Sequence, residues 1–141
     1  MAVTSESTTV WTGDLTSGSG TVSLDSSHAA QLPVTWAARS RGSVDITTPE
    51  ELLGAAHSAS FSMAFSNGLS DFGTVPERLQ VTAAVTFDPA QGITGSHLIV
   101  EASVPGLSEE DFQRLAEEAK TTCPVSRALV GIPITISATL A

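Results

Sequence analysis

The chain has no tyrosine, two tryptophans and five phenylalanines. Small and β-branched residues must therefore supply most of the packing. Cations are scarce, with six Lys and Arg against fifteen Asp and Glu and a formal net charge of -9. Nucleic acid and anionic membrane need basic patches, so both are excluded as expected partners. There is one cysteine, Cys123, and no internal disulfide can form. This argues against a disulfide-stabilised secreted fold. The start, Met1-Ala2-Val3-Thr4-Ser5-Glu6, lacks a basic region and an apolar stretch, so no signal peptide is expected. The most apolar run, Leu52 to Leu69, contains Ser, His and Asn and is too polar to span a bilayer. A cytoplasmic location is the expectation. His28 and His97 stand alone and nothing has metal-ligand spacing. No metal or cofactor is expected.

What remains fits a folded α+β protein. A hydrophobic fraction of 41% and a charged fraction of 15% over 141 residues suit one domain, 1–141, with a real core. Residues 8–14 and 19–25 are β-prone, and Gly18 with its serine neighbours turns between them. A third short strand is expected from Val34 to Arg39, followed by a polar loop from Gly42 to Thr47. Thr48-Pro49-Glu50-Glu51 then starts a helix: Thr48 caps, Pro49 suits the first position and Glu51 completes a capping box. That helix runs to about Asp71 and has apolar or small residues nearly all round, which predicts burial on most faces and favours a partner subunit. Leu79 to Phe87 and Leu98 to Val104 alternate as strands around a hairpin link, Asp88 to Gly92. Ser108 caps a second helix with an acidic first turn. Ile132 to Leu140 alternates as a last strand. The order β-β-β-α-β-β-α-β predicts a sheet with segregated helices.

Three sets of residues could carry chemistry. Pro124 at a first helical position places Cys123 at the N-cap of a short helix, 124–130. Orphan N–H groups there would lower a thiol pKa; the alternative is a small buried hydrophobe. His57 and Ser60 share a helix face, which makes a Ser–His hydrolase conceivable, but no Gly-x-Ser-x-Gly elbow or orienting acid accompanies them. The other reading is a polar pair in a packing seam. Arg39 and Arg41 precede the Glu50 helix, where an arginine–carboxylate pair would be directional; the other reading is solvated loop charge.

Together, Trp11-x-Gly13-Asp14, Arg39-x-x-Gly42, Thr48-Pro49-Glu50-Glu51-Leu52-Leu53-Gly54-Ala55-Ala56-His57, Phe61-Ser62-Met63-Ala64 and Cys123-Pro124-Val125-Ser126 resemble the OsmC/Ohr family of thiol-dependent hydroperoxide reductases, and its OsmC branch in particular. The resemblance implies an intertwined homodimer with antiparallel sheets packed around two buried central helices. It implies a peroxidatic thiolate that attacks the O–O bond of an organic hydroperoxide or hydrogen peroxide and becomes a sulfenic acid. A resolving cysteine then forms a disulfide, and a dithiol reductant, lipoyl-type or a small thiol, restores both. Carried over by motif, Arg39 and Glu50 hold the peroxide and Cys123 is the resolving cysteine. His57 lies in the matched motif but has no catalytic assignment.

Ser60 stands where that family places its peroxidatic cysteine. A serine has no sulfenic acid chemistry, so the two-cysteine cycle cannot run through it. Two origins are open: an engineered cysteine-to-serine change in a normal enzyme, or a natural paralogue that lost or relocated the activity. A non-catalytic protein binding a small hydrophobic ligand is the alternative function. For the peroxidase, an apolar pocket beside residue 60, from Leu52, Phe61, Phe65 or their partners, is expected. Glu50 and Ser60 lie ten residues apart, which is about 15 Å of helical rise and roughly 80° of rotation. If they share a site, either Glu50 comes from the other subunit or the helix begins later; the first is expected, with Ser60 and Cys123 of one chain beside Arg39 and Glu50 of the other.

Overall fold

The structure, a computed structural model, describes residues 1–141. The chain forms two compact units, Met1–Leu52 and Leu53–Ala141.

In the first unit, β1 (Ser7–Thr12), β2 (Ser19–Leu24) and β3 (Gln31–Val34) make an antiparallel sheet in that order. Asp14 closes the β1–β2 link by accepting the Ser17 N–H and hydroxyl at 2.7 and 2.8 Å. The expected strand from Val34 to Arg39 is corrected: it ends at Val34, and α1 (Trp36–Arg41) follows. Thr35 is the reason. Its backbone is extended and its hydroxyl accepts the Ala38 N–H at 3.1 Å, which is an N-cap. Ala37, Ala38 and Arg39 are good helix formers, and Gly42 at φ +85° ends the helix. Arg39 and Arg41 thus sit in a last helical turn, complementing its dipole, and not on a loop.

Helix α2 (Pro49–Phe72) starts where expected. The Thr48 hydroxyl accepts the Glu51 N–H at 3.0 Å. The capping box is only half formed, because the Glu51 carboxylate accepts instead from the Thr47 hydroxyl at 2.9 Å. Burial on most faces was expected to need a partner subunit, and one chain alone covers only part of the helix. Within one chain α2 buries a single stripe, Gly54, His57, Phe61, Phe65 and Leu69, at helical spacing. The opposite face, with Ala55, Ala56, Ala59 and Met63, is exposed. Sheet and helices of the second unit cover only the first stripe.

In the second unit β4 (Arg78–Asp88) and β5 (Gly92–Ser103) form the expected hairpin. Asp88 accepts the Ala90 and Gln91 N–H groups, and Gly92 at φ +87° completes the turn. Ser108 caps α3 (Glu109–Thr122) by accepting the Asp111 N–H. A short α4 (Pro124–Ala128) follows, ending two residues before the expected 130. Strand β6 (Ile134–Leu140) pairs with β5 in parallel, so the antiparallel expectation fails for this one pairing. The α3–α4 crossover carries the chain back to the end from which β5 started, which is what a parallel neighbour requires. The α+β class stands. The core of this unit joins Phe61, Phe65 and Leu69 of α2 to Leu98 and Val100 of β5 and to Phe112 and Leu115 of α3. Each fully buried side chain of this kind contributes about 1.5–3 kcal/mol.

Two features hold α2 in place. Gly54 lets the helix approach β4 closely: a Cβ there would lie 2.8 Å from the Ala83 carbonyl oxygen. His57, with no exposed surface, bridges α2 to β5 and α4. Its Nδ1 is 2.7 Å from Ser96 Oγ and its Nε2 is 2.8 Å from Ser126 Oγ. Burial holds its pKa below the ordinary 6.5, so the ring is neutral. A neutral imidazole donates from one nitrogen and accepts at the other, and a serine hydroxyl can serve either.

Two outcomes follow from these contacts. Gly54→Ala should destabilise by about 1–3 kcal/mol in urea unfolding, because backbone must shift. Helix propensity alone would instead stabilise by about 1 kcal/mol, and that result would refute the close contact. Stability should also fall as pH drops below about 6.5, where the unfolded chain protonates residue 57 and the folded chain does not. The loss is complete once pH has passed through the lower folded-state value. Unfolding midpoints across pH 4–8 should show this slope, and His57→Gln should flatten it; an unchanged slope would contradict the buried neutral ring.

Candidate active site

The expected site residues fall into two pairs, one in each compact unit. In the first unit Arg39 sits in the last turn of α1 and Glu50 in the first turn of α2. Arg39 Nε and Nη2 both donate to Glu50 Oε1, at 3.0 and 2.8 Å. The Glu50 side chain is 6% exposed and that of Arg39 33%. The half-exposed guanidinium weakens the pair energetically but leaves it strongly directional. Arg39 therefore has a carboxylate partner, and solvated loop charge is not its state.

Beside this pair lies a cavity of about 290 Å³ with a mostly apolar wall, including Trp11, Leu15, Trp36, Leu52 and Arg39. Both tryptophans of the chain line it. An apolar pocket beside residue 60, from Leu52, Phe61, Phe65 or their partners, was expected; of these three only Leu52 lines this one. Phe61 and Phe65 have no exposed surface and belong to the core of the second unit, because the helical spacing that buries His57 carries them along the same stripe.

In the second unit Ser60 of α2 meets Cys123, the junction of α3 and α4. Cys123 Sγ lies 3.2 Å from Ser60 Oγ, with the thiol donating. Cys123 is fully buried and Pro124 occupies the first position of α4, as the sequence suggests. Burial pushes the thiol pKa up and is the largest single influence. Hydrogen bonds offered by Ser60, by the backbone and hydroxyl of Ser126 and by the Val125 N–H outweigh it together. The thiol ends below its ordinary 9.0. Once ionised, the sulfur accepts from Ser60 and from this small nest of donors.

His57 and Ser60 do not pair. Both ring nitrogens of His57 are engaged by Ser96 and Ser126, so the Ser–His hydrolase has no base for its nucleophile. The seam reading of His57 is the observed one, with different partners. Sequence reasoning missed Ser96 and Ser126. Ser96 was detectable as a hydroxyl in phase with inward-facing Leu98 and Val100 on β5. Ser126 lies within the Cys-Pro-Val-Ser segment and needed only a reason to face inward. No group of three or more His, Cys, Asp or Glu could hold a metal ion. No helix is long and apolar enough to cross a membrane.

Comparison with known proteins bears on these features directly. A family model described as OsmC-like protein matches residues 42–137. The chain is 41% identical over 122 residues to peroxiredoxin OsmC of Escherichia coli (strain K12), covering 84% of this chain and 85% of that protein. An OsmC-like protein from Mycoplasma pneumoniae has a similar fold, with a TM-score of 0.71 at 20% identity over 100% of this chain and 99% of that one. An organic hydroperoxide resistance protein from Elizabethkingia anophelis aligns with a TM-score of 0.70 at 26% identity, over 100% and 97% of the two chains. With the model match spanning most of the chain and the 41% identity extending beyond it, the chain belongs to the OsmC family.

Proposed function

We propose that this protein has the site of a thiol-dependent peroxidase for organic hydroperoxides and hydrogen peroxide, and that Ser60 removes or cripples the reaction. The observation that carries this is the Ser60–Cys123 contact at 3.2 Å. A sulfur at position 60 would need to close by only about 1 Å to form a disulfide with Cys123. The relative named peroxiredoxin OsmC supports the reaction class.

In the complete cycle a thiolate at position 60 attacks the peroxide. One oxygen bonds to sulfur as a sulfenic acid, and the O–O bond breaks to release an alcohol or water. Cys123 then displaces water from that sulfenic acid to give the disulfide. A dithiol takes up the oxidation in turn and restores both thiols. In this chain the first step has no nucleophile at residue 60, and Cys123 is the only thiol. Its pKa is lowered by the donors around it, but its burial limits access.

The working unit is a homodimer in the cytoplasm, with 1–141 as one OsmC-like domain. Support for the domain comes from the family match, which spans the end of the first compact unit and most of the second. Support for the dimer comes from surfaces a lone chain leaves open. All of β1 is exposed, and the first unit buries only Val22, Val34 and Ala38 as hydrophobic core. The small-residue face of α2 is open as well. Arg39 and Glu50 of one subunit complete the Ser60–Cys123 pair of the other. The cavity lined by both tryptophans supports a second reading, a binding protein for small hydrophobic ligands without catalysis.

Ser60→Cys should raise consumption of cumene hydroperoxide with dithiothreitol by roughly a hundredfold or more over the unaltered chain. Inactivity of both would favour the binding reading instead. Ester hydrolysis abolished by Ser60→Ala would contradict both. In peroxide-treated unaltered chain, read by mass spectrometry, any sulfenic acid or mixed disulfide should sit at Cys123 alone. Sedimentation should give a dimer, and a monomer at micromolar concentration would overturn the shared site.

A further inference from the structure

The carboxylates are unevenly distributed. All fifteen Asp and Glu side chains lie between Glu6 and Glu118. Beyond Glu118 the only charged side chains are Lys120 and Arg127. Both line one groove, of about 330 Å³, together with Ser126, Val130, Ile132 and Ile134. The volume falls at the lower end of small-ligand sites, and the wall is largely apolar. Val130 is 82% exposed. Favourable interaction with helix ends explains a cation in the last turn of α3 and another in α4. It does not explain why both flank an apolar groove whose lining holds no carboxylate.

Lys120 pairs with Glu117 at 3.0 Å, but the Glu117 side chain is 58% exposed, and such pairs are weak enough to exchange partners. Cations of this kind favour an anion, and the apolar wall favours an alkyl chain. We propose that this groove binds an amphipathic carboxylate, its head between Lys120 and Arg127 and its chain over Val130, Ile132 and Ile134. The site is separate from the Trp11–Trp36 cavity and does not depend on the peroxidase reading. It reaches the thiol through Ser126, which lines the groove, bonds His57 Nε2 and supports the Cys123 sulfur.

Octanoate is the probe, read by calorimetry and by amide NMR shifts on the unaltered full chain. Saturable binding with shifts at Thr121, Arg127, Val130 and Ile132 is expected. Acetate and 1-octanol should each bind at least about tenfold more weakly, the first lacking the chain and the second the charge. Lys120→Gln and Arg127→Gln should each weaken octanoate about tenfold, with folding checked by circular dichroism, while Arg41→Gln leaves it unchanged. Octanol binding as tightly as octanoate, indifference to both cation variants, shifts centred elsewhere, or no saturable binding would each overturn the site. So would a groove covered by a second copy, seen as resonances at Val130 and Ile132 that respond to dilution and ignore octanoate.

Discussion

The length of α2 is the constraint on which the site depends. One unbroken helix of 24 residues carries Glu50 in its first turn and Ser60 ten positions on. Ten residues of α-helix advance about 15 Å, further than a glutamate can reach. At its start and at its middle the helix joins a separate pair, Arg39 with Glu50 and Cys123 with Ser60. Neither pair alone contains the groups a peroxidase needs. In the proposed two-fold dimer each subunit would lend its first pair to the other's second, with no bend in the helix. The exposed alanine face of α2 suits such an arrangement, because small side chains let two helices approach closely.

The second pair is held by hydroxyls. Ser126 touches both the Cys123 sulfur and His57, and Ser96 holds the other nitrogen of that ring. A buried thiol would ordinarily resist ionisation, and here the donors around it more than compensate. The neutral histidine contributes by position. It fixes Ser126 relative to α2, and through it the first turn of α4. His57 thus ties α2 to Ser96 of β5 and to Ser126 of α4.

Much of this was legible in sequence, and the physical reasons differ by residue. Thr48, Ser108 and Pro124 announce helix starts because caps are local chemistry. β4 and β5 alternate over long runs, so their inward faces could be named. An arginine–carboxylate pair before the Glu50 helix was one of two readings of the residues, the resemblance selected Arg39 and Glu50, and their ion pair is what the structure adds. Three features were hidden. Thr35 acts as a cap inside a stretch that also reads as strand. The direction of β6 depends on the crossover before it, not on its own alternation. Phe61 and Phe65 share helical phase with His57, so the polar residue, read as one of a pair with Ser60, obscured a core stripe.

Subunit complementation tests the shared site most directly. One chain would carry Ser60→Cys with Arg39→Gln, and the other would be the unaltered chain. Each alone should be inactive toward cumene hydroperoxide. Unfolded and refolded together, they should form mixed dimers in which one site holds both thiols from the first chain and Arg39 with Glu50 from the second. The account predicts activity in the mixture that neither parent shows, near half that of the Ser60→Cys dimer per mixed dimer. A mixture as inactive as its parents, with mixed dimers verified by mass, would show that the arginine acts within its own chain.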